Sequence, residues 1–181
     1  MPAIQPLDPA QATGATAETL AAVKRKLGRI PNLFTTLARS SAALQAYVRL
    51  GEALETGAFS AKQREQVALA VAEANACGYC LAAHSAIGGL VGLTPAEIAA
   101  ARQGRAPQSR EDAIVSLARR IVEARGQLPA AEIAGWKARG LSDADILETL
   151  AVVVVNILTN YTNHIAGTEV DFPAVPEAKA A

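Results

Sequence analysis

Between Asp143 and His164 the apolar residues fall at Ile146, Leu147, Leu150, Val153, Val154, Ile157, Leu158 and Tyr161, at steps of one, three and four. That spacing keeps one side of a helix apolar over about four turns. The run "AVVVVNIL" inside this stretch is β-branched and favours a strand by propensity alone. Period and length outweigh propensity, so the segment is predicted as one long buried helix, with Asn156, Asn160 and the Asn163/His164 pair forming a polar stripe along it. The same periodicity recurs at Leu20, Val23 and Leu27 before Gly28, and at Leu44, Tyr47, Val48 and Leu54 before Gly57.

Helix starts are marked as clearly as helix faces. Ser60 with Gln63 and Thr94 with Glu97 are capping-box pairs, in which each side chain satisfies a free backbone N–H of the first turn. Pro95 adds the residue favoured at the first helical position. Ser142 with Asp145 and Ser109 with Asp112 are predicted to open two more helices, Ser40 or Ser41 another, and Pro31 a short one. Ala61 to about Asn75 should form one helix, interrupted by Gly78, and a second should continue from Cys80 through Ile87 to Gly88 and Gly89. No βαβ alternation is present, so the fold class is all-α. A chain of 181 residues suits one well-buried core, and 1–181 is expected to be a single helical domain with 1–15 and 168–181 as extended arms.

Composition narrows the partners. Lys plus Arg and Asp plus Glu are both 17, which gives no electrostatic reason to expect nucleic acid or an anionic membrane. The N-terminus lacks a basic stretch followed by an apolar run, so no secretory signal is read and the cytoplasm is the expected location. Ala151 to Val155, followed by Ile157 and Leu158, falls short of the roughly 20 apolar residues of a membrane span. Hydrophobic residues make up 51% of the chain and aromatics only 4%. Such small apolar side chains leave more surface than a small monomer hides comfortably, a hint of self-association.

The chemistry concentrates in "CGYCLAAH", where Cys77, Cys80 and His84 fall within eight positions. A cytosolic pair of cysteines points to redox or metal chemistry more than to a structural crosslink. A thiol of ordinary pKa, roughly 8.5, is only about 3% ionised at pH 7, so a reactive one needs its pKa lowered. A helix beginning near Cys80 would supply free N–H groups there. His84, four residues on, would lie one turn above Cys80 on the same face and share its proton. Cys80 is therefore predicted to attack. Cys77, within reach of a disulfide, is predicted to resolve it.

These residues resemble the alkylhydroperoxidase AhpD family, within the larger carboxymuconolactone decarboxylase-like group. The signature is a Glu twelve residues before a Cys-x-x-Cys and a His four after the second Cys, here Glu65, Cys77, Cys80 and His84. "LGRIPNLF" and "NYTNHIAGTEVDFP" are similar to segments of peroxidase-related members. The resemblance implies an AhpD-like helical bundle and thiol-dependent reduction of small organic hydroperoxides without any cofactor. It also implies a homo-oligomer, trimeric or hexameric, and re-reduction by a protein dithiol or a lipoyl group. Glu65 and His84 would form its proton relay. Relatives carry His directly before the second cysteine where this chain has Tyr79, whose neutral phenol does not shuttle protons readily at pH 7.

Several alternatives stay open. An unbroken helix would turn Glu65 about 120° away from Cys77, so Glu73, four residues before Cys77, is the nearer neighbour by helix geometry. Only a chain reversal near Gly78 would bring Glu65 to the thiols. Cys77, Cys80, His84 and His164 could supply the four ligands of a zinc site, which would make the protein a redox or zinc sensor. A lyase like the carboxymuconolactone decarboxylases is a third reading. His164 is an accessory candidate, or a hydrogen-bonded interior histidine.

Overall fold

The computed structural model describes residues 1–175, and these hold nine α-helices and no strand. They are α1 (Gly14–Leu27), α2 (Asn32–Leu37), α3 (Ser41–Glu55), α4 (Ala61–Ala74), α5 (Gly78–Leu90), α6 (Pro95–Arg102), α7 (Ser109–Glu123), α8 (Ala130–Ala138) and α9 (Asp143–Ala166). The three capping boxes at Ser60, Thr94 and Ser142 all form, each with both reciprocal bonds. Ser40 caps α3 by accepting from Ala43 N–H.

One expected cap does not form. The residue before α7 is Gln108, without a side-chain cap, and Asp112 accepts instead from Arg105, Ala106 N–H and Arg139. Two nearby guanidinium groups and a loop N–H outcompete the helix's own first turn for that carboxylate.

The architecture is built around α4, which packs against α5, α6, α7 and α9. Val67 to Ala72 are each no more than 2% exposed, so the middle of this helix is surrounded on every side. Alanine and valine make that possible, because small side chains let four neighbours approach one axis. Leu69 and Ala72 face one apolar cluster, with Leu20, Leu33, Leu37, Leu44 and Leu81. Val67 and Val71 face a second, with Ile114, Leu117, Val152 and Val153.

α9 runs past both. By length and composition it is apolar enough to cross a membrane, a property that the short unbroken run in the sequence does not display. Its inner face is buried and partly polar: Thr149, Asn156, Thr159, Asn160 and Asn163 accompany Val152, Val153 and Val155. Thr149, Asn156 and Thr159 bond back to carbonyls three or four residues earlier, which satisfies polar groups inside an apolar core. Its outer face exposes Leu147, Leu150, Val154, Tyr161 and Ile165.

Both arms are tied down within the described residues. Ala3 and Ile4 donate to the Ala166 carbonyl at 2.7 and 3.2 Å, which supplies a partner to a helix-end carbonyl that has none within α9. Asp171 in the second arm accepts from Arg29, Asn32 N–H and the Tyr79 hydroxyl. The loosely held C-terminus expected from sequence is therefore pinned as far as Val175, and 176–181 lie outside the described residues.

Glu148 on α9 holds the α3–α4 turn by accepting from Ala58 and Phe59 N–H at 3.0 and 2.9 Å. Glu148→Ala leaves the part-buried Phe59 donor without its partner, and the expected loss is about 1–3 kcal/mol. A urea unfolding curve superimposable on the parent would refute this role.

Candidate redox site

The site begins with how α4 ends. Ala76 N–H bonds to Glu73 O and Cys77 N–H to Ala72 O at 2.8 Å, the paired bonds of a Schellman helix end. The left-handed residue of that motif is Ala76, φ 52°, where glycine is usual. A side chain in that region costs of order 1 kcal/mol or more. The reversal expected at Gly78 thus occurs two residues earlier, and Gly78 is the first residue of α5. Sequence favoured Gly78 because glycine adopts positive φ freely; α4 instead keeps its own hydrogen bonds to the end and leaves Ala76 to make the turn.

This shift moves the helix start from one cysteine to the other. Cys77 is the N-cap of α5, and its Sγ accepts from Cys80 N–H at 3.4 Å. The expected stabilisation of Cys80 by the helix end falls on Cys77. Cys80 meets a different element: Asn163 Nδ2 donates to its Sγ at 3.2 Å, and the Thr159 hydroxyl lies at 4.0 Å. Both cysteines are reduced and 1% exposed.

The two thiols titrate as a unit. Cys77 is drawn down to about 6, first by the hydrogen bond from the Cys80 thiol, against burial, and further by Cys80 N–H and the charge of His164. Cys80 is driven far up, by that same hydrogen bond, by burial and by repulsion from the Cys77 sulfur. Cys77 is therefore the more acidic of the two thiols.

Folding α5 back on α4 also settles the choice of carboxylate. His84 Nδ1 lies 2.8 Å from Glu65 Oε2. Glu73 is turned to α6, where Arg102 Nε donates to it at 2.7 Å. Burial alone would lower the His84 pKa, but the charge and hydrogen bond of Glu65, with the Cys77 sulfur, leave it raised. His84 does sit one turn along from Cys80. Its hydrogen bond, however, goes to Glu65, and none joins it to either sulfur among the described residues.

The remaining candidates separate. Tyr79 accepts from Leu33 N–H at 3.1 Å and donates to Asp171 at 2.8 Å, with its ring edge-on to Phe172. It ties α2 and the second arm to α5. His164 is exposed, off the buried stripe of Asn156, Asn160 and Asn163. No group of three or more His, Cys, Asp or Glu side chains among the described residues is placed to hold a metal, so the four proposed zinc ligands do not converge.

Other residues entered unannounced. Tyr47 reads in sequence as part of the apolar stripe of α3, yet its phenol pKa is raised by burial and by the charges of Cys80 and Glu65. Asn75 donates to Asn160 Oδ1 at 2.9 Å, tying the end of α4 to α9. The asparagine stripe was visible; that it faces the sulfurs was not.

Comparison with known proteins adds to this geometry. Residues 41–124 match the carboxymuconolactone decarboxylase family model, which spans both cysteines, Glu65 and His84. An alkyl hydroperoxide reductase of Mycobacterium tuberculosis is 36% identical over 83 residues, 45% of this chain and 24% of that protein's length. The fold is shared with a peroxidase-related protein of Ralstonia eutropha described as an alkylhydroperoxidase AhpD core, TM-score 0.83 at 23% identity over 94% of this chain and 92% of that one. A peroxidase-related protein of Silicibacter is similar at TM-score 0.77 and 23% identity, over 92% of each chain.

Ultraviolet thiolate absorbance should rise with a midpoint near pH 6, where Cys77 is held, and should account for one thiolate per chain at neutral pH. Charge is lost as pH falls through that midpoint. Cys80→Ala removes the S–H donor and should move the midpoint up; an unchanged midpoint would show that the second sulfur does not hold the charge on the first.

Proposed function

With residues 41–124 forming a carboxymuconolactone decarboxylase family domain on an AhpD-like helical fold, we propose that this chain is a thiol-dependent peroxidase that reduces small organic hydroperoxides through Cys77 and Cys80 without a cofactor. The observation that supports this most directly is a pair of neighbouring thiols free of a disulfide, one at a helix N-cap and the other facing a side-chain amide. Such a pair holds a thiolate at neutral pH beside a proton donor.

The chemistry follows from that pairing. Against the resting preference of the pair, Cys80 passes its proton to the Cys77 sulfur as the peroxide arrives, and its own electron pair attacks the distal peroxide oxygen. The O–O bond breaks, Cys80 becomes a sulfenic acid, and the departing alkoxide takes the proton from Cys77 and leaves as an alcohol. The Cys77 thiolate then displaces the hydroxyl from the Cys80 sulfur, which takes a proton and departs as water. The sulfur pair loses two electrons and the peroxide gains two.

Glu65 and His84 supply the second proton. The carboxylate raises the imidazole pKa against the effect of burial, and an imidazolium beside the site can protonate the leaving hydroxide. Return to the dithiol requires an external dithiol or lipoyl reductant. The apolar outer face of α9, where Leu147, Leu150, Val154, Tyr161 and Ile165 are exposed, supports the further reading that copies of this chain associate there.

One equivalent of cumene hydroperoxide should remove two titratable thiols per chain and create an intrachain crosslink. Cys80→Ser should lower turnover by on the order of 10³-fold or more, as loss of a nucleophile does. Cys77→Ser should react once and leave a trappable sulfenic acid on Cys80. A sulfenic acid on Cys77 in the Cys80→Ser protein would reverse the roles, and intact thiols in the parent protein would exclude the activity.

A further inference from the structure

The stripe of buried amides on α9 does more than cross the core. Asn160 is fully buried and Asn163 is 5% exposed. Both have one end occupied. Asn160 Oδ1 accepts from Asn75, and Asn163 Nδ2 donates to the Cys80 sulfur. The opposite ends, Asn160 Nδ2 and Asn163 Oδ1, are buried and without a hydrogen-bond partner. One is a donor and the other an acceptor. They lie three residues apart on the same face of one helix, and both side chains act on Cys80.

A buried donor or acceptor left unmade costs about 1–3 kcal/mol, and interiors rarely keep two such groups side by side. Elsewhere on the same face Thr149, Asn156 and Thr159 satisfy themselves on α9's own carbonyls. The two asparagines beside the reactive sulfur do not. Their free ends match the hydrogen-bonding pattern of a hydroperoxide, which offers one O–H to donate and a neighbouring oxygen to accept.

Resting on the peroxidase reading above, we propose that Asn160 and Asn163 form the subsite that grips the peroxide bond. Asn163 Oδ1 accepts the O–H of the distal oxygen and holds that oxygen against the Cys80 sulfur, to which its own amide nitrogen is already bonded. Asn160 Nδ2 donates to the proximal oxygen. When the sulfur's electron pair enters the distal oxygen and the O–O bond breaks, negative charge develops on that proximal oxygen, and the preset N–H stabilises it until the proton arrives from Cys77.

The test separates gripping the peroxide from activating the thiol. Single-turnover oxidation by cumene hydroperoxide and alkylation by iodoacetamide are measured on the same proteins, since alkylation needs the thiolate but no peroxide contacts. Asn160→Leu should slow oxidation by about 100-fold, the scale for losing one such donor, with alkylation slowed much less, since Asn160 also favours the Cys80 thiolate. Asn160→Ala removes the donor without adding charge or bulk beside the sulfurs; it covers the case in which the leucine variant does not fold. Asn163→Ala should slow both reactions, because it also loses the bond to sulfur. Oxidation of both Asn160 variants at the parent rate, or a parallel fall in alkylation, would overturn the subsite. If the parent protein itself fails to lose thiols to the hydroperoxide, it is the peroxidase reading that falls.

Discussion

Cys77 joins two helices at a single residue. Its N–H closes the end of α4 on Ala72, and its sulfur opens α5 by accepting from Cys80 N–H. The left-handed Ala76 just before it sets the angle between the helices. From that turn follow the pairing of Glu65 with His84, the approach of the two sulfurs and the placement of the charge on the first of them. Strain of order 1 kcal/mol at Ala76 is the kind stored where surrounding packing over-determines the backbone, and α4, enclosed on every side, provides that packing.

The second constraint is that a polar stripe must pass through an apolar core. α9 packs on the second hydrophobic cluster, and its inner face carries threonines and asparagines among the valines. Most of them return their hydrogen bonds to α9 itself. Those level with the sulfurs turn outward, to Cys80 and Asn75. A core made wholly of leucine and valine would be cheaper to fold; the exceptions that leave α9 lie beside the two sulfurs.

Around this centre the remaining elements fix position. Tyr79 lies between the cysteines in sequence, and its hydroxyl is bonded to the start of α2 and to Asp171 in the second arm. Arg29 stacks over Phe172 and pairs with Asp171 from the other side. Tyr79, between the thiols in sequence, thus anchors α5 to α2 and to the second arm.

The sequence by itself determined the helices and most of their starts. The 3.6-residue period, the three capping boxes and the long run of Asp143–Ala166 are local properties, decided by residues three or four apart. It also marked Cys77, Cys80 and His84, because helix spacing makes them neighbours. Only the tertiary structure decided which thiol takes the helix end, since that depended on whether Ala76 or Gly78 turned the chain. It likewise separated Glu65 from Glu73, sent Asp112 away from its cap, and brought Asn163 to Cys80 across 83 residues. In each case the deciding partner lay on another helix, where periodicity carries no information and packing alone chooses the neighbour.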